Sequence, residues 1–163
     1  MKRYRSSQGD KPSDEGLKVL QFKLRGRIFC LEIANVLRVI HFVNLKSVPG
    51  MPSYVKSLFN LHGEEMPIID LAERINMGGE SKYTLNTPII LCEHQSKHFG
   101  LIVEEVLGVE FIRLEDLQMK ELLQDNLETY LLGALTTDYG DILLLNIDKL
   151  SKICMEHSFN KNG

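Results

Sequence analysis

The chain contains no tryptophan, few thiols, no long apolar run and almost no excess of either charge. A formal charge of −3 at pH 7 provides no field that would gather a polyanion, which disfavours nucleic acid and anionic membrane as principal partners. No stretch approaches the roughly 20 consecutive apolar residues that a membrane-crossing helix needs. Residues 1–5 are basic but lack the apolar core of a secretory signal. The three cysteines, Cys30, Cys92 and Cys154, are odd in number, widely separated and set among apolar neighbours. They make neither a disulfide framework nor a zinc-ligand spacing and read as small, reduced hydrophobes. These absences point to a cytoplasmic protein without membrane insertion and without a cofactor.

What remains is ordinary globular material. With 163 residues and 44% apolar side chains, the chain can bury most of its surface without a disulfide or metal. Residues 1–16 and 155–163 carry little to bury and are expected as tails, leaving a folded region over 17–154. That region reads as one domain or two small subdomains packed closely together.

Strand-like patterns dominate it. In 19–24, Leu20, Phe22 and Leu24 share a face; Arg25-Gly26-Arg27 makes a turn and 28–33 runs back, giving a hairpin. Residues 36–43 are rich in β-branched side chains. A rigid turn follows at Pro49-Gly50-Met51-Pro52, then an expected helical turn over 54–59. Residues 58–61 and 66–71 flank Gly63-Glu64-Glu65 as a second hairpin, and 71–77 suggests a short helix ended by Gly78-Gly79. The second half repeats this habit: strands at 88–93 and 99–103 around a polar turn, another at 106–112, a hairpin around 138–141, and a closing helix over 146–156. Many short strands with frequent turn signals indicate a mainly β fold of barrels or a sandwich.

Chemistry-bearing clusters are sparse. His94 and His98 lie four apart, a ligand spacing on a helix, but here they flank a hairpin turn near Cys92; a weak metal site and a solvated turn are the two readings, the second fitting the turn. His62 beside Glu64 offers an acid–base pair without an accompanying nucleophile. Gly78-Gly79 lacks the context of a phosphate loop. Adjacent carboxylates at Glu64-Glu65 and Glu104-Glu105 point to opposite faces if on strands, so neither makes a dyad. A binding module is favoured over an enzyme.

Residues 49–71, PGMPSYVKSLFNLHGEEMPIIDL, resemble the signature of CheW-type chemotaxis coupling proteins, in which a proline-bounded turn precedes YVKG, NLRG and PxxDL. Residues 100–109, GLIVEEVLGV, resemble that family's GLxVDxVxxV segment. Residues 22–33 and 36–40 resemble its opening strands, and 130–133 with 142–150 its closing hairpin and helix. The matches are collinear over about 17–154. The resemblance implies two intertwined five-stranded SH3-like barrels and a non-catalytic adaptor that bridges the cytoplasmic tip of a methyl-accepting chemoreceptor to the regulatory domain of a CheA-type histidine kinase. A coupling module of a pilus or gliding system is the alternative, and a small enzyme using His62 and Glu64 the alternative of another class.

The resemblance also implies that Val36, Val39, Val106 and Val109 line the receptor-facing groove, against plain core packing as the other reading. Three positions depart from the family pattern. Arg38 stands where the family usually has glutamate, His62 where it has arginine, and Ser57 where it prefers glycine. An arginine opposite an arginine would repel, so the first two changes together avoid a clash. Arg38, Ser57 and His62 are therefore expected to tune partner choice.

Overall fold

The computed structural model describes residues 15–41, 45–46, 48–118 and 127–151. Ten strands form two five-stranded sheets. In chain order they are β1 (Gly16–Leu24), β2 (Arg27–Glu32), β3 (Val36–His41), β4 (Val55–Leu61), β5 (Glu64–Asp70), β6 (Pro88–His94), β7 (Lys97–Ile102), β8 (Glu105–Arg113), β9 (Leu131–Thr137) and β10 (Gly140–Leu145). A short helix α1 (Leu71–Arg74) follows β5, and residues 147–151 are helical after β10. The expected all-β architecture of two SH3-like subdomains is what forms, although neither sheet is closed by hydrogen bonds between its edge strands among the described residues.

One sheet runs β8-β1-β2-β10-β9 and the other β3-β6-β7-β5-β4. The hairpin β1–β2 belongs to the first sheet, but the chain then crosses to the second for β3, β4 and β5. Conversely, β6–β7 belongs to the second sheet, and β8, β9 and β10 return to the first. Each half of the chain thus lends three strands to a sheet begun by the other half. The halves join at the parallel pairs β10/β2 and β5/β7 and at the antiparallel pairs β1/β8 and β3/β6, the pairings within each half being antiparallel.

The two halves correspond residue by residue. At one constant interval, the turn Arg25-Gly26 matches Gln95-Ser96, all four at positive φ. Phe29 and Leu31 match Phe99 and Leu101, all fully buried. At a second constant interval, Tyr54 matches Tyr130, whose carbonyls accept from Asp70 N (2.9 Å) and Asn146 N (2.7 Å). The side chains of Asp70 and Asn146 in turn cap the following helices by accepting from Glu73 N (3.0 Å) and Lys149 N (3.2 Å).

This exchange buries both faces of the central strands of each sheet. Successive residues point to opposite faces of a strand, and here both destinations are apolar. In β6, Ile90 and Cys92 enter a core shared between the sheets while Ile89 and Leu91 enter a second core. In β10, Leu143 and Leu145 enter the shared core and Leu144 a third. Continuous runs such as PIILC and ILLL are the consequence, because no face of these strands meets water. The shared core is the largest of the three and joins Phe22, Phe29 and Leu31 of one sheet to Ile69, Phe99 and Leu101 of the other.

The helical turn expected over 54–59 is instead the start of β4. Pairing with β5 overrides local preference there, and a register shift between Val55 and Ser57 breaks the period-two pattern that would have betrayed a strand. The sheet also begins earlier than expected. β1 starts at Gly16, within the segment read as a tail, and Glu15 O accepts from Leu114 N at 3.2 Å. Gly16 is required there, since a Cβ would collide with the Ile112 carbonyl oxygen and the Phe111 ring. Residues 1–14, the rest of the closing helix and the terminal segment 155–163 lie outside the described residues, as does Cys154.

Candidate partner-binding surface

The edge strands β3 and β8 occupy equivalent places in the two sheets, and both carry the pattern Val-Leu-x-Val: Val36-Leu37-Arg38-Val39 and Val106-Leu107-Gly108-Val109. Residues three apart on a regular strand face opposite ways. Here each strand has a register shift, between Val36 and Arg38 and between Val106 and Gly108, that inserts one extra residue. Val36 and Val39 consequently pair with Cys92 and Ile90, and Val106 and Val109 with Phe22 and Leu20. All four partners belong to the shared core. The two valines of each strand therefore face the space between the sheets.

Their burial grades outward. Val36 and Val106 are half-buried and pack against the shared core. Val39 and Val109 are exposed, at 37% and 54%. Further along each strand, His41 and Phe111 occupy the same face, paired with Pro88 and Lys18. Each edge strand thus begins in the common core and leaves it, so that apolar side chains are exposed along the border between the sheets. Apolar side chains exposed on edge strands are uncommon where no partner covers them, because such edges invite pairing.

The sequence reading found four of these valines but not Leu37, Leu107 or Phe111, which are also exposed (44%, 44% and 54%). The signal that finds the two leucines is the duplicated Val-Leu-x-Val motif itself. Its second copy differs in having Gly108, at φ 135°, where the first has Arg38. That backbone conformation strains any other residue, so position 108 favours glycine.

The remaining site candidates fall elsewhere. Arg38 is exposed on β3, and His62 is exposed at positive φ in the β4–β5 turn. β3 and β4 are the two edges of their sheet, and no strand pairing joins them among the described residues. Ser57 is buried (8%), and its Oγ accepts from Lys46 N at 3.5 Å. Its side chain thus contributes to holding the β3–β4 connection and is not presented to a partner.

The histidines do not converge. His94 Nε2 lies 3.0 Å from Asp148 Oδ1, tying β6 to the helical residues 147–151. His98, one strand away, has Nδ1 3.6 Å from Glu64 Oε1 and Nε2 3.6 Å from Glu93 Oε2. Both rings are partly buried and paired with carboxylates, in place of the solvated turn expected from the sequence. Cys92 is buried in the shared core, and its thiol donates toward Ile90 O at 3.6 Å. Glu64 reaches His98, on β7. Burial pushes the Cys30 thiol up to about 12 and raises that of Cys92 further, so neither is a nucleophile. Among the described residues no helix is long and apolar enough to cross a membrane.

Comparison with known proteins agrees with this architecture. A probable chemotaxis protein CheW of Rhizobium etli is 28% identical over 145 residues, covering 88% of this chain and 89% of that protein. Protein PilI of Pseudomonas aeruginosa is 32% identical over 90 residues, covering 55% of this chain and 49% of that protein. The crystal structure of the scaffolding protein TtCheW from Thermoanaerobacter tengcongensis superposes with a TM-score of 0.71 at 26% identity, over 80% of this chain and 89% of that one. The CheW-like domain model matches residues 18–153, nearly the whole folded region, and the chain therefore belongs to the CheW-like family.

Proposed function

We propose that this protein is a non-catalytic adaptor in chemotaxis signalling that couples the cytoplasmic tip of a chemoreceptor to the regulatory domain of a CheA-type histidine kinase. The observation that carries this reading is the paired exposed valines, Val39 and Val109, on edge strands that both flank the shared core. A helical receptor tip is apolar along one stripe and suits a groove with two such walls. Family membership supplies the partner class.

Arg38 and His62 are the positions at which this chain is retuned for its own receptor or kinase. Both are exposed, so exchanging them changes encounter and partner choice more than folding. Similarity to PilI supports a second reading, in which the same adaptor serves a pilus or gliding chemosensory system.

Affinity for a receptor-tip fragment, measured by titration calorimetry, tests the adaptor reading. Val39→Asp or Val109→Asp places a charge in the apolar wall and is expected to weaken binding by at least about 10-fold, a cost of ~1.4 kcal/mol or more. Undiminished binding by both variants would remove the groove as the docking site. For retuning, the double exchange Arg38→Glu with His62→Arg is expected to improve binding to the partners of a typical coupling protein; equal affinity before and after would count against it.

A further inference from the structure

Arg74, on α1, is an arginine only 8% exposed. No carboxylate among the described residues pairs with it, and its Nε has no hydrogen-bond partner. A buried guanidinium without a counter-ion is costly, so something else must hold it. What surrounds it is aromatic. Its central carbon lies 4.8 Å from the Tyr54 ring centroid and 5.5 Å from that of Tyr130, and Nη1 donates to the Tyr130 hydroxyl at 3.1 Å. Both distances fall within the range of cation–π attraction, which strengthens when the cation is desolvated.

The identity of those two rings gives the cluster its meaning. Tyr54 and Tyr130 are counterparts in the two halves of the chain, each preceding the first strand of a hairpin and each accepting from the helix-capping residue, Asp70 or Asn146. One leads into β4 in the second sheet, the other into β9 in the first. Both pack on the shared core. Arg74 therefore bridges symmetry-related positions, carried by the sheet of β5 and bound to a ring and hydroxyl of the other. Its own counterpart is Leu150, fully buried in the shared core. At this place the repeat is broken: one half supplies a cation and the other a hydrocarbon.

We propose that Arg74 is a positioning residue that sets the docking angle between the two sheets and, through it, the spacing of the β3 and β8 edges. Apolar contact in the shared core is non-directional, so there the angle between the sheets is set by side-chain shape alone. A planar cation held between two rings with one oriented hydrogen bond adds a directional constraint. The consequence for partner binding rests on the adaptor reading; the consequence for sheet geometry does not.

Spin labels on the full chain at Glu65→Cys on β5 and Asp138→Cys in the β9–β10 turn, with Cys154 replaced, read the sheet-to-sheet distance by electron–electron resonance. Arg74→Leu, which installs the second half's own residue, is expected to fold with both sheets' amides protected while the distance distribution shifts or broadens. Arg74→Lys retains charge without planarity and is expected to restore the wild-type distribution in part. In the graded pair, Tyr130→Phe loses the hydrogen bond and Tyr130→Leu also loses the ring, so the second is expected to broaden the distribution more. Affinity for a receptor-tip fragment is expected to fall about 10-fold in Arg74→Leu. A wild-type distance distribution in Arg74→Leu would overturn the proposal. If that variant does not fold, identical distributions in Tyr130→Phe and Tyr130→Leu would overturn it instead. An altered distribution with unchanged affinity would uphold the joint and count against the groove.

Discussion

At the scale of single residues, burial decides which chemically capable groups can act. Cys30 and Cys92 are fully buried, and desolvation holds both thiols protonated well above neutral pH. In the native protein at pH 8 a disulfide reagent is expected to leave both unmodified for hours, and to react with both once urea unfolds the chain; rapid native labelling of either would contradict the packing. Glu73 behaves oppositely. Hydrogen bonds from Lys56, 2.8 Å away, and from Ser53 hold its carboxyl below the usual range. A depressed native pKa means that this contribution is present above the unfolded-state pKa and is lost as acid titrates the folded group. Both side chains are about a third exposed, so it amounts to no more than about 1 kcal/mol. Glu73→Gln is expected to flatten the fall in urea midpoint between pH 6 and pH 3 without changing the fold, whereas an unaltered pH profile would show the pair to be inert. The composition made the thiols' burial legible from their apolar neighbours. It did not make Ser57 legible, because its inward position depends on a bulge and on Lys46, neither of which leaves a mark on local sequence.

At the scale of elements, the hairpins and most strands were readable and the start of β4 was not. Arg25-Gly26 and the polar turn at 95–96 announce themselves through turn chemistry, and the strands around them through β-branched and aromatic side chains. β4 was hidden because its bulge removes the alternation by which a strand is recognised. The same device hid the apolar face of the edge strands: Val36 and Val39, or Val106 and Val109, share a face only because each edge strand carries an extra residue. The expectation that these valines line a groove came from family resemblance; pairing register accounts for the narrower fact that the two valines of each strand share a face. In the shared core, Phe29 and Phe99 are equivalents from opposite sheets, and Phe29 stacks on Phe22 with centroids 5.9 Å apart. Truncating either ring leaves a cavity in the same layer, so Phe29→Ala and Phe99→Ala are each expected to cost about 3–5 kcal/mol by urea denaturation. A loss below about 1 kcal/mol for one of them would mean that the layer is not continuous.

At the scale of the whole molecule, the halves cannot be separated. Each sheet is completed by three strands from the other half, and the largest core lies between the sheets. Unfolding is therefore expected to be a single transition, with probes placed in β2 and in β7 reporting one midpoint; two midpoints would mean independent barrels. Sequence alone conveyed that the second half repeats the habits of the first. Local pattern could not convey the exchange, because strand order within a sheet is set by long-range pairing; only the family resemblance implied that the barrels intertwine. The exchange is what places β3 and β8 on either side of the common core, and the adaptor role depends on that placement. The direct measurement is amide chemical-shift mapping of the full chain titrated with a helical receptor-tip fragment. Docking between the edge strands predicts the largest shifts at 36–41 and 105–111, saturating together at both strands. Shifts confined to one edge or to the hairpin turns, with Val39 and Val109 unmoved at saturation, would contradict it.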